Sequence, residues 1–94
     1  LKEFIENSIE INFQEMKKYE QFSAKKRLKY IDSYTNFITI LFDDRNSKEI
    51  ANTLLEKGII VRDLSSYGVN GIRVTIDRPE NNDRFLSVFE SILN

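Results

Sequence analysis

The segment from Ile72 to Ile76 alternates apolar and polar side chains with a period of two, and no other stretch restricts the fold so strongly. Ile72, Val74 and Ile76 fall on one side of a pleated strand, while Arg73 and Thr75 fall on the other. A strand of this kind needs a second layer over its β-branched face and leaves the other face to solvent or a ligand. Two amphipathic segments can supply that layer. From Leu1 to about Lys25, the residues Leu1, Phe4, Ile5, Ile9, Phe13, Met16 and Tyr19 recur at three- and four-residue steps, as on one side of a long helix. Near the other end Phe85, Leu86, Phe89, Ile92 and Leu93 form a similar stripe.

Local signals fill in the middle of the chain. Leu28 to Ile31 and Asn36 to Phe42 are rich in Tyr, Ile, Thr and Phe and read as strands, with Asp32-Ser33 as a turn between them. They either pair as a hairpin or simply follow one another. Asn46-Ser47-Lys48-Glu49 has the spacing of a capping box, so a helix is expected from Ser47 to Lys57 with Ile50, Ala51, Leu54 and Leu55 inward. Gly58 is placed to end that helix in the left-handed conformation, and Ile59-Ile60-Val61 reads as a short strand after it. Asp63 to Asn70 reads as a loop, and Asn70-Gly71 as a turn. Asp77-Arg78-Pro79-Glu80 repeats the capping-box spacing before the last helix. The order helix, strand, strand, helix, strand, strand, helix predicts one α/β (α+β) domain spanning 1–94, a small mixed or antiparallel sheet with flanking helices mostly on one face.

Composition excludes several kinds of activity. The 94 residues contain neither Cys nor His, which removes disulfides, thiolate metal sites, cysteine nucleophiles and the commonest general base. The lack of Cys fits a cytoplasmic origin. Fourteen Lys and Arg against fifteen Asp and Glu leave a net charge of -1, without the cationic excess that a nucleic-acid backbone requires. The basic group Lys17, Lys18, Lys25, Lys26, Arg27 and Lys29 reads as a solvated helix end. No apolar run approaches the length of a membrane span. The chain opens at Leu1 inside a helical pattern, with no basic-then-apolar leader, and this reads as a piece of a longer protein.

Two residues stand out for binding chemistry. Arg73 lies mid-strand between apolar residues, and Arg62 directly follows an apolar run. A guanidinium held on a strand grips carboxylate or phosphate through paired N-H donors. By pattern alone, however, an Arg that alternates with apolar residues is the solvent face of a strand. Asp43-Asp44 sits in a turn without further metal ligands, and Ser65 and Ser66 have no base to activate them. Gly68 and Gly71 lack the spacing of a phosphate-binding loop.

The run GIIVRDLSSYGVNGIRVTI, Gly58 to Ile76, followed by RPENNDRFL, Arg78 to Leu86, resembles the carboxy-terminal signature of the histidinol-phosphate aminotransferase family. Upstream, SYTNFI from Ser33 to Ile38 is similar to that family's strand entry, so the resemblance covers about the last two-thirds of the chain. It implies the small, substrate-closing domain of a fold-type-I aminotransferase that uses pyridoxal 5'-phosphate and works as a homodimer. The cofactor's lysine and phosphate cradle would lie in a large domain outside this chain, leaving these residues without cofactor-binding or catalytic groups. Arg73 matches the arginine that holds the α-carboxylate, Arg62 the one that meets the substrate phosphate, and Asn36 a supporting position. Histidinol phosphate and the glutamate/2-oxoglutarate pair are the implied substrates, with histidine biosynthesis as the setting. Asp77 departs from the pattern, which has Gly there. A threonine-phosphate decarboxylase-like enzyme is the alternative within the fold, and a stand-alone ligand-binding or interaction module is the alternative outside it.

Overall fold

A computed structural model describes the backbone of residues 2–32 and 36–94, with side chains from residue 10 onward. Its elements are α1 (Lys2–Lys25), β1 (Lys29–Asp32), β2 (Phe37–Leu41), α2 (Ser47–Glu56), β3 (Arg62–Asp63), a 3-10 turn (Ser65–Tyr67), β4 (Gly71–Thr75) and α3 (Pro79–Leu93). The four strands form one sheet in the order β1-β2-β4-β3, and every neighbouring pair is antiparallel. The first two strands therefore pair as a hairpin. The architecture is α+β, as the element order implies.

Registers place Ile38 opposite Val74 and Ile40 opposite Ile72, so these four side chains share one face of the sheet. All four are buried, and Tyr19 of α1, Ile50 and Leu54 of α2, and Phe85 and Phe89 of α3 pack with them into a single core. Aromatic contacts run through it: Phe85 stacks on Tyr19 at 5.8 Å between ring centres, and Phe89 lies 5.5 Å from Phe22 and edge-on to Phe42 at 6.1 Å. The helices thus cover one side of the sheet. The alternate residues Thr39, Arg73 and Thr75 point away from them.

Chain ends of the elements explain where the strands fall. Asn46 caps α2 by accepting from the Glu49 N-H at 3.1 Å. At the far end Gly58, at φ 82°, donates to the Leu55 carbonyl, while the Ile59 N-H donates to the Leu54 carbonyl. This paired closure of a helix end uses the Ile59 N-H, so that residue has none left for a ladder. The expected strand at Ile59-Ile60-Val61 is accordingly absent, Ile60 is 85% exposed, and pairing begins at Arg62.

Other expectations also need correcting. The last helix has Arg78 at its N-cap with no side-chain cap and Pro79 as its first residue, so the second capping box does not form. Asp77 instead accepts from the Arg78 N-H and the Asn81 side chain. Phe13 and Leu55, expected inward, are exposed, and the Lys17 ammonium lies 4.6 Å from the Phe13 ring centre. Leu1, Ser33 and the side chains of Phe4, Ile5 and Ile9 lie outside the described residues. Within the basic group, Lys18 bridges Glu15 and Asp83, and Lys25 and Lys26 meet Glu90, so these cations are paired on the surface. Glu20 and Asp32 link α1 to β1, and their hydrogen bond raises the Glu20 carboxyl above the usual range, with burial and the Asp32 charge adding to it.

Candidate anion-binding site

The β3-β4 ladder sets Arg62 directly opposite Arg73. Like charges facing each other across a strand pair are destabilising, and the surroundings do little to relieve them. Among the described residues no carboxylate lies within ion-pair distance of either guanidinium. Arg73 is half-buried with its guanidinium carbon 4.7 Å from the centre of the Phe37 ring, a cation-π contact that holds it to the sheet. Arg62 is exposed and donates from Nη1 to the Tyr67 hydroxyl at 3.1 Å. Between them opens a shallow cleft of about 350 Å³, lined by Ile60, Val61, Arg62, Arg73 and Thr75.

The turn beside Arg62 is held by its neighbour. Asp63 Oδ1 accepts from the Ser47 hydroxyl at 2.8 Å and from the Ser65 N-H at 3.0 Å, and Oδ2 accepts from the Ser65 hydroxyl at 2.6 Å. Donors gathered around a carboxylate favour its charged form, and the Ser65 hydroxyl, the Ser47 hydroxyl and the Ser65 N-H hold Asp63 below the usual aspartate range. Asn70 performs a similar task before β4. Its side-chain oxygen accepts from the Ser47 N-H at 2.9 Å, and its nitrogen donates to the carbonyls of Phe42 and Arg45 at 3.0 and 2.7 Å. Gly71 then enters the sheet so close to β2 that a Cβ there would meet the Ile40 carbonyl oxygen at 2.7 Å. The two arginines consequently stand on backbone fixed from both sides.

Of the residues singled out in the sequence, Arg62 and Arg73 come together. Asn36 does not join them: it sits in the bend before β2, its side chain is exposed, and its carbonyl accepts from the Ile76 N-H at 2.6 Å. Asp63 and Tyr67 were missed as parts of this site. An Asp followed two residues later by Ser is a turn signal that could have identified Asp63, but only the fold places Tyr67 against Arg62. Asp43 and Asp44 lie in the bend before α2, and among the described residues no group of acidic side chains is placed to hold a metal. No helix among them is long and apolar enough to cross a membrane.

The fold is one found in solved aminotransferases and in a cysteine desulfurase. A histidinol-phosphate aminotransferase from Clostridium acetobutylicum superposes with a TM-score of 0.87 over 99% of this chain and 29% of its own, at 18% identity. An apo cysteine desulfurase from Thermococcus onnurineus does so with a TM-score of 0.70 over 89% of this chain and 25% of its own, at 15% identity. Curated relatives are more similar in sequence. The histidinol-phosphate aminotransferase of Campylobacter jejuni is 50% identical over 91 residues, and that of Aliarcobacter butzleri 53% identical over 92, in each case 97% of this chain and 25% of the relative. This chain is therefore related to the histidinol-phosphate aminotransferases along nearly its whole length, and it spans about a quarter of theirs. No family model matches it.

Proposed function

We propose that this chain is the carboxy-terminal small domain of a pyridoxal-phosphate-dependent aminotransferase that moves the amino group of histidinol phosphate to 2-oxoglutarate. The full-length protein works in this reading as a cytoplasmic homodimer in histidine biosynthesis. One observation carries it: two guanidiniums face each other across β3-β4 with no carboxylate among the described residues to neutralise them, in a cleft open to a small molecule. An anion bound there turns a cross-strand repulsion into a pair of charge-assisted contacts.

Each arginine has a task that suits its setting. Arg73, held over the Phe37 ring, presents a fork for the α-carboxylate of glutamate or 2-oxoglutarate. Arg62, exposed at the rim, takes the phosphate of histidinol phosphate. Histidinol phosphate has no carboxylate, so its phosphate is the group that must engage this pair. Thr75 and Ile60 complete the wall. The cofactor itself does not fit here. The cleft lining contains no lysine for a covalent link, and its two cations are the arginines assigned to substrate. Pyridoxal phosphate is accordingly assigned to the remainder of the full-length protein, and this chain's share is to bind and orient the substrate's anionic end.

The test is a comparison of the two half-reactions in the full-length enzyme, each followed by cofactor absorbance. Arg62→Ala is expected to weaken handling of histidinol phosphate by about ten- to a hundredfold, the equivalent of one lost charge-assisted contact. Glutamate is expected to suffer less from that change and more from Arg73→Lys. Equal and negligible effects of both substitutions on both substrates would reduce the arginines to ordinary surface residues of a strand.

A further inference from the structure

The Tyr67 hydroxyl takes a hydrogen bond from Arg62 Nη1 at 3.1 Å, yet Tyr67 is 67% exposed and lies outside the core. It is not there to pack. Its ring is carried on the short 3-10 turn Ser65–Tyr67, which the Asp63 carboxylate fixes at its start through the N-H and hydroxyl of Ser65. Gly68, at φ 79°, ends the turn by donating to the Ser65 carbonyl at 3.0 Å. The same Asp63 is anchored to the body of the domain by the Ser47 hydroxyl at the start of α2, and Ser47 is fully buried. Asp63 and Gly68 therefore set the position of one hydroxyl beside one guanidinium.

A phenol oxygen can accept one hydrogen bond and donate another. Because Arg62 occupies the accepting side, the hydroxyl hydrogen is left to point to a different acceptor, and among the described residues none meets it. An anion on Arg62 would bring one. Here the number of oxygens matters. A carboxylate's two oxygens lie in the plane of the guanidinium fork that engages them, with their remaining lone pairs close to that plane; a phosphate monoester adds a third free oxygen out of that plane, touched by neither N-H of the fork and open to a neighbouring donor.

We propose that Tyr67 is the specificity-determining residue of the arginine site, held by Asp63 as its positioning residue, and that it favours a phosphate monoester over a carboxylate. The proposal rests on the anion-binding reading of Arg62 and extends it to the choice between ligands. Tyr67 adds a bond to the phosphate alone.

The probes are inorganic phosphate and acetate, titrated at constant ionic strength into the isotopically labelled chain and into its Tyr67→Phe, Asp63→Asn and Arg62→Ala variants. Binding is read from arginine side-chain and backbone NMR shifts. Tyr67→Phe keeps the ring and removes only the hydroxyl, and it is expected to lower phosphate affinity about tenfold, the lower end for one hydrogen bond to a charged acceptor, with acetate unchanged. Asp63→Asn is expected to move the phosphate-to-acetate ratio in the same direction by a smaller factor. A Tyr67→Phe variant that loses both anions equally, or neither, overturns the proposal. If phosphate leaves the Arg62 signals of the unmodified chain unmoved, or binds Arg62→Ala as well as the parent, the anion site itself is wrong and the selector falls with it.

Discussion

The Tyr19 hydroxyl donates to the Asn82 side-chain oxygen at 2.7 Å, tying α1 to α3 across the top of the core. The same oxygen accepts from the Asp77 N-H at 2.9 Å, and the Asn82 nitrogen donates to the Asp77 carbonyl at 2.7 Å and to Glu15 at 3.1 Å. Asn82 is 1% exposed and so spends its full donor and acceptor capacity inside the protein. Its burial partner Tyr19 has a phenol pushed far up, first by burial and then by the charges of Glu15, Asp77 and Asp83, so it remains a donor at any ordinary pH.

Truncating Asn82 to Ala leaves the Asp77 backbone and the buried Tyr19 hydroxyl without these partners, and the buried Glu15 carboxylate with Lys18 but one bond fewer. A loss of about 3 kcal/mol in unfolding free energy is expected, as for a buried polar group stripped of its bonds. Tyr19→Phe removes one bond and keeps the ring, and should cost about 1 kcal/mol. Urea unfolding followed by circular dichroism would measure both. Equal costs for the two changes would mean that packing, and not this network, is what holds the β4-α3 junction.

Arg62 is expected to trade stability for binding. Replacing it with Thr removes the charge facing Arg73 and places a good strand former in β3, which should stabilise the fold by roughly 0.2 to 1 kcal/mol. The same change should abolish the preference for phosphate. A variant that becomes both less stable and no weaker for phosphate would contradict the idea that the repulsion is held in place for a ligand.

Acid should loosen the turn beside Arg62. The folded-state value of Asp63 lies below its ordinary 3.8, so its contribution to stability is present above that value and is lost as the pH falls through the lower, folded one. Asp63→Asn removes this dependence. Thermal unfolding across pH 2 to 6 (roughly the span of carboxylate titration) should show a shallower acid limb for the variant than for the parent. Identical limbs would assign the acid sensitivity to other carboxylates.

How much of this was legible beforehand differs from element to element. The period-two run at Ile72 to Ile76 announced β4 and its two faces, because alternation and burial are the same fact seen from sequence and from structure. The Asn46 cap and Gly58 were equally plain, since each is a local event of a few residues. Ile59-Ile60-Val61 misled because β-branched composition says nothing about whether a backbone N-H is already engaged, and the helix closure had claimed it. Phe13 and Leu55 misled for a related reason: apolar spacing marks a stripe but not how wide a stripe the neighbouring layer covers. Asn82 was invisible as a hub, because its partners come from α1 and the β4-α3 junction. The arginines could be singled out from sequence, while their face-to-face register depended on a strand pairing across the Ser65–Tyr67 turn.

In β4 the residues that build the core and those that face the cleft take turns along one five-residue strand. Ile72 and Val74 answer to the helices, and Arg73 and Thr75 to whatever occupies the open side. Two sets of demands are thus interleaved in one segment without sharing a side chain. A designer wishing to give this scaffold a new small-molecule preference can rewrite Arg73 and Thr75 and leave Gly71, Ile72 and Val74, and the fold they encode, untouched.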